Sequence, residues 1–259
     1  MLLAVDVGNT ESVLGWFDEL TPVHVWRLAT DRRRTGDEIA LQLRGFLEAR
    51  DLPGPERILV ASVVPALHRA WLVAGRMLEA PLRFLDGASP VPVRLEVDHP
   101  LEVGADRIAN TLAAAELYRR DTLVVDLGTA TTFDCITADG VFEGGVIAPG
   151  PTTGLDQLAR ATARLPQVEV EKPARVIGRN TLECLRSGGF YSVVDGIDGI
   201  VGRVVEEWGR DALVVATGGL ARTLAPHCRT VDRVEPALTI TGLAIADRYL
   251  FPRPRPTDG

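Results

Sequence analysis

Two stretches of the chain read as copies of one another: LLAVDVGNTESVLG, from Leu2 to Gly15, and LVVDLGTATTFDCI, from Leu123 to Ile136. Each is an apolar run ending in Asp-x-Gly, then small polar residues, then a second apolar alternation. That is the pattern of a strand, a turn and a return strand. Third strands follow at His24–Ala29 and Val141–Ala148, the latter after an Asp139-Gly140 hairpin turn. Helical and strand patterns then alternate. The expectation is an α/β fold with mixed sheets flanked by helices, built twice, with a ligand site where two like lobes face each other.

Working outward, TGDEIALQLRGFLEAR places Thr35 and Glu38 at capping-box spacing and Ile39, Leu43 and Leu47 on one helical face. RILVASVVP reads as a buried strand, ALHRAWLVAGRMLE as a helix stopped by Pro81, and GADRIANTLAAAELYR as a helix. In the second half, helices are expected at Leu155–Arg164, Thr181–Val194 and Gly199–Trp208. ALVVATGGLA reads as a strand running into a Gly-rich turn, and LTITGLAIADRYLF as a closing helix. The expected division is 1–115 for the first lobe and 116–251 for the second, with a disordered tail at 252–259.

Composition removes several classes. The 259 residues carry a net charge of −7, which argues against a nucleic-acid surface. Lys172 is the single lysine, so neither a Walker-type phosphate loop nor a protein-kinase strand lysine can be placed. Cys135, Cys184 and Cys228 have neither disulfide-framework nor zinc spacing. Met1–Val5 is too short for a signal segment, and no apolar run approaches a membrane span, so a cytoplasmic protein is expected.

An aspartate at a strand end followed by Gly and small polar residues exposes backbone N–H groups suited to phosphate. Its carboxylate suits a hydrated cation. The same tripeptide also ends strands for purely conformational reasons. Thr217-Gly218-Gly219 is either a tight strand-to-helix turn or a backbone platform for adenine or ribose. Asp106 in Gly104-Ala105-Asp106-Arg107 is either a favourable charge in a first helical turn or a general base beside an anion-binding arginine.

Taken in order, Asp6-Val7-Gly8-Asn9-Thr10, Gly104-Ala105-Asp106-Arg107, Asp126-Leu127-Gly128-Thr129, Gly144-Gly145-Val146-Ile147-Ala148-Pro149-Gly150 and Ala216-Thr217-Gly218-Gly219 resemble type III pantothenate kinases. RRTGDE, ASVVPAL, TARLPQVE and VIGRNTLECLRSG agree with them, so the resemblance runs from Leu2 to about Leu250. It implies the duplicated ribonuclease H-like lobes of the sugar-kinase, Hsp70 and actin superfamily, with ATP and pantothenate as substrates and a homodimeric assembly. It further implies ATP contacts from Asp6, Val7, Gly8, Asn9, Thr10, Glu11, Ser12, Val13, Thr129, Gly218 and Gly219, with Asp6 oriented toward magnesium. Pantothenate would meet Gly104, Ala105, Asp106, Arg107 and Thr181, with Asp106 as catalytic base. Asp126 would hold a monovalent cation, potassium or ammonium. Neither a nucleic-acid nor a membrane partner is implied.

The chain departs from the family's usual pattern at Val97, where tyrosine is common, at Ser192-Val193, where Gly-Tyr is common, and at Glu11, where asparagine is common. Glu11 would be unhelpful beside phosphates unless it points away. The alternatives are a non-catalytic regulatory homologue, or another phosphotransferase or phosphatase of the superfamily.

Overall fold

A computed structural model describes residues 1–162 and 165–251. Both copied stretches fold as antiparallel hairpins. In the first, β1 (Leu2–Val7) pairs with β2 (Glu11–Asp18), and β2 pairs with β3 (Thr21–Ala29). The capping box forms as the spacing predicts. Thr35 Oγ1 accepts from Glu38 N at 3.3 Å while Glu38 Oε2 accepts from Thr35 N at 2.7 Å, starting α1 (Gly36–Glu48). Next come β4 (Arg57–Ser62), a single 3₁₀ turn at Pro65–Leu67, α2 (His68–Met77) and β5 (Leu82–Leu85). A two-residue strand β6 (Arg94–Leu95) precedes α3 (Ala105–Tyr118). The first sheet has the order β3-β2-β1-β4-β5, antiparallel across the hairpins and parallel beyond β1.

The second hairpin pairs β7 (Thr122–Leu127) with β8 (Ala130–Ile136), and β8 with β9 (Val141–Pro149). Gly140 takes φ 81° in the turn between β8 and β9, the left-handed conformation that favours glycine. Helices α4 (Pro151–Ala161) and α5 (Thr181–Trp208) lead to β10 (Leu213–Thr217), α6 (Ala221–Leu224) and β11 (Arg233–Val234), and α7 (Leu238–Leu250) closes the chain. Here the order runs β11-β10-β7-β8-β9, parallel from β7 outward to β11. The plan is that of the first sheet, so the copied sequences are copied structure.

The chain divides into two compact units, Met1–Ala113 with Leu238–Gly259, and Ala114–Ala237. In the first, Leu3, Val5, Val7, Ile58 and Val60 face Ile39, Leu43, Leu47, Trp71 and Ala74 of α1 and α2. The alternate residues of β1 turn to the other face, where α7 packs. In the second, Leu123, Val125, Leu127, Val214 and Ala216 pack against Leu155 of α4 and Phe190, Val194, Ile197 and Val201 of α5.

Two expectations change. The sequence reading breaks α5 between Val194 and Gly199, yet one helix of 28 residues runs from the Asn180 cap to Gly209, which ends it at φ 66°. Each internal glycine costs about 1 kcal/mol against alanine, and the buried row Phe190, Val194, Ile197, Val201 outweighs that. The reading also kept Leu238–Leu250 with the second lobe, whereas α7 belongs to the first unit. Arg57 Nε donates to Asp247 Oδ1 at 2.6 Å, and Thr239 Oγ1 bonds Asn110 Oδ1 at 2.9 Å. The expected end of α4 at Arg164 and the expected tail at 252–259 lie outside the described residues.

Gly242 sets how closely α7 lies on α3. A Cβ there would stand 2.0 Å from Ala109 O and 2.6 Å from its carbonyl carbon. Alanine gains about 1 kcal/mol of helix propensity, but the helices must separate to admit it, at a cost of about 1–3 kcal/mol. Gly242→Ala is therefore expected to lower the unfolding midpoint in urea. A midpoint at or above that of the parent would show that the helices part freely.

Candidate functional site

In the first unit, the site begins at the carboxyl end of β1. Asp6 pairs with Val13 and Val7 with Ser12, leaving Gly8, Asn9, Thr10 and Glu11 to make the turn. Gly8 N donates to Glu11 O at 3.1 Å, and a Cβ on Gly8 would stand 2.8 Å from that oxygen, so the turn closes only around glycine. Val7 is core, and the buried Ser12 hydroxyl shares a 2.8 Å hydrogen bond with Thr30. These two positions thus offer a ligand their backbone, while Asn9 and Thr10 are exposed on the turn. Glu11 is paired with Arg27, which offsets its charge and holds it along the strand.

Gly104-Ala105-Asp106-Arg107 meets the same sheet edge. Val63, just past β4, donates its N–H to Val7 O at 3.1 Å, and Val63 Cγ1 lies 3.6 Å from where a Cβ of Gly104 would be. That imagined Cβ would also meet Asp106 Oδ1 at 2.4 Å, so the missing side chain at 104 is what lets the carboxylate fold back over the start of α3. Asp106 Oδ1 accepts from Arg107 N at 2.8 Å. Burial pushes the Asp106 carboxyl above the usual aspartate range, against the opposing pull of that N–H and of the Arg107 charge. The unit thus gathers Asp6, its turn and Asp106 at the carboxyl ends of β1 and β4, the end where open α/β sheets bind ligands.

In the second unit, Asp126 pairs with Thr132 and Leu127 with Thr131, and Gly128 N donates to Ala130 O at 3.1 Å. The closure repeats that of the first turn with one residue fewer. Two further elements converge on it. Gly150 N and Thr153 Oγ1, at the start of α4, donate to Thr129 O at 3.1 and 2.7 Å. From β10, Thr217 lies in register with Asp126, and Gly218 at φ 91° passes so close that a Cβ would stand 2.4 Å from Asp126 Oδ1. Asp126, Thr129, Gly218 and Gly219 are therefore one constellation. The sequence reading quoted Gly150 in a motif without giving it a role and missed Thr153, although Gly-Pro-Thr-Thr is a helix-start pattern with proline at the first helical position.

Thr181 opens α5 at a cavity of about 670 Å³ whose lining includes Thr131, Phe133, Leu155, Gly188, Ser192 and Val193. Asn180 caps that helix, its Oδ1 accepting from Glu183 N at 2.9 Å. Thr131 connects the cavity to the second turn, so Thr181 belongs to its surroundings.

Comparison with known proteins fits this arrangement. The family model for type III pantothenate kinase matches residues 2–203. A type III pantothenate kinase of Acidothermus cellulolyticus is 45% identical over 256 residues, covering 98% of both chains. One of Moorella thermoacetica is 44% identical, covering 95% of this chain and 98% of its own. Among solved structures, the ethanolamine utilization protein EutJ of Carboxydothermus hydrogenoformans superposes with a TM-score of 0.56 at 22% identity, covering 96% of this chain and 89% of its own. Component A of the (R)-2-hydroxyglutaryl-CoA dehydratase of Acidaminococcus fermentans does so with 0.53 at 16%, covering 96% of each. These two likenesses concern the fold alone.

The raised Asp106 pKa has a consequence for stability. Its folded value lies above its unfolded one, so its contribution is fully present below the ordinary aspartate value and is lost as pH rises through the raised value. Asp106→Asn removes the charge that burial penalises. The variant is expected to unfold at a higher temperature than the parent near pH 8, the gap closing as pH falls into the aspartate range. A variant less stable than the parent across that range would show that the carboxylate supports the fold.

Proposed function

The chain belongs to the type III pantothenate kinase family, and we infer that it transfers the γ-phosphoryl group of ATP to pantothenate, the first step of coenzyme A biosynthesis. The primary hydroxyl oxygen of pantothenate bonds to the γ-phosphorus, the bond to the β–γ bridging oxygen breaks, and 4'-phosphopantothenate and ADP leave. The observation that carries this reading is the twinned Asp-x-Gly turn, with Asp106 gathered to the first of the two.

Asp6 through Val13 bind the phosphates of ATP, and in the second unit Thr129, Gly218 and Gly219 are its proposed contacts. Asp106 accepts the hydroxyl proton, Arg107 grips the substrate carboxylate, Gly104 and Ala105 shape the acceptor site, and Thr181 is a further proposed contact of pantothenate. A partly desolvated carboxylate with a raised pKa suits the base role, since it holds a proton better than an exposed one. Asp6 would bind magnesium and Asp126 potassium or ammonium. Both offer the oxygen donors that hard cations take. Among the described residues no three His, Cys, Asp or Glu side chains form a metal cluster. When bound, such ions offset the charge of the triphosphate.

The protein works as a homodimer. Beside the cavity at Thr181, Val176 and Ile177 are 63% and 83% exposed, and Leu158 and Leu182 are exposed as well. An apolar patch of this kind is what a partner surface covers.

ADP release from ATP, magnesium and pantothenate is expected only when pantothenate is present, and to be faster in potassium than in sodium. Asp106→Asn should reduce turnover by about 10²–10⁴-fold. Silence with pantothenate would assign the site to another acceptor, and full activity in sodium would remove the cation from Asp126. Light scattering should give twice the chain mass for the parent and less for Ile177→Asp. A monomeric parent would end the dimer reading.

A further inference from the structure

The segment after β3 is tied to the first turn by three bonds. Thr30 N donates to Thr10 O at 2.9 Å, the Thr30 and Ser12 hydroxyls share a bond of 2.8 Å, and Arg32 Nη2 donates to Asn9 Oδ1 at 2.9 Å. Four arginines lie on or near this segment, and three are committed elsewhere. Arg27 is paired with Glu11, Arg33 reaches Asp31 at 3.3 Å, and Arg34 donates to Gln42. Arg33 and its backbone N–H hold the Asp31 carboxyl below the usual aspartate range, so that carboxylate is already engaged. Arg32 differs from the other three. Among the described residues it pairs with no carboxylate, and its bond goes to a neutral amide on the turn itself.

Charge makes that placement informative. Phosphoryl transfer needs cations around the triphosphate, and the single lysine, Lys172, belongs to the other unit. A guanidinium presents five donors in a planar fork that matches phosphate oxygens, and Arg32 uses one of them on Asn9. Exchanging a neutral amide for a phosphate replaces a bond to an uncharged acceptor with one between opposite charges, which can also be bidentate. We propose that Arg32 binds the triphosphate of ATP at the first turn, releasing Asn9 as it does so. The inference rests on the reading of Asp6–Val13 as the phosphate turn.

The test separates Arg32 from the choice of acceptor by titrating ATP and magnesium into the full chain without pantothenate, at low and at high potassium chloride. Arg32→Gln is expected to weaken ATP binding by about tenfold or more and to flatten its salt dependence, because one exposed charge facing the phosphates is gone. Arg32→Lys should recover part of both, and Arg33→Gln, whose side chain is 91% exposed, should match the parent. In turnover assays the KM for ATP should rise while the KM for pantothenate stays within about twofold. Parent-like ATP binding by Arg32→Gln overturns the proposal. So does weaker binding with an unchanged salt dependence, the mark of a residue that only props the turn. If the parent binds ATP, loses it in Arg32→Gln and leaves pantothenate untouched, the acceptor reading fails and Arg32 stands. A parent that binds no ATP overturns both.

Discussion

A glycine amide folded back onto a carbonyl, at the end of a central strand, is the interaction on which the rest of this structure depends. Gly8 N to Glu11 O and Gly128 N to Ala130 O close the two turns at the same 3.1 Å. Each closure holds an aspartate one position before the last residue of its strand, so strand alternation turns the carboxylate away from the face packed by α1 and α2, or by α4 and α5. The sheets then need only to be built in the same order for both aspartates to reach equivalent sheet edges, and they are. Side chains at Gly8, Gly104, Gly150 or Gly218 would each occupy space already taken by a backbone or carboxylate oxygen within 2.8 Å. Close approach of backbone is the common device, and glycine is its requirement.

Electrostatics is the second constraint. Asp6 and Asp106 in the first unit, and Asp126 in the second, are acidic groups in a chain that is itself acidic. Like charges brought near one another are tolerated only where cations intervene or where a carboxyl holds its proton more readily. Both devices fit here. The Asp106 carboxyl is pushed upward by burial, and Glu11, the one carboxylate set on the first turn itself, is neutralised by Arg27 from the neighbouring strand.

Much of this was legible in the sequence because it rests on local rules. The doubled Asp-x-Gly pattern gave the hairpins, Thr35 and Glu38 gave the start of α1, and Asp139-Gly140 gave the turn into β9. Legibility failed where tertiary packing overrides local preference. Gly196 and Gly199 look like a helix break, yet the buried face of α5 carries the helix through them. The four-residue β5 and two-residue β11 are too short for periodicity to show, since each exists by pairing with a parallel neighbour. The return of α7 to the first unit depends on Asp247 meeting Arg57 across 190 positions of sequence, a contact no window of residues contains. At the site, the resemblance supplied the residues of the turns, but not the Thr153 hydroxyl on Thr129 O or the Arg32 guanidinium on Asn9, because both are approaches from elements distant in sequence.

The departures at Ser192 and Val193 bear on the cavity beside Thr181. Gly188, Ser192 and Gly196 recur every fourth position along α5 and all line that space, so a row of small residues leaves it open. Gly189, which lines the same space, does the reverse. A Cβ there would stand 2.7 Å from Leu155 Cδ1, so α4 packs tightly against α5 at that point. The cavity is therefore bounded by a close contact between α4 and α5 and held open by small side chains of α5. The space, about 670 Å³, is open to the surface and is therefore not a defect of core packing. Ser192 and Val193 stand in that lining together with Thr181, so the two departures act on whatever occupies the space.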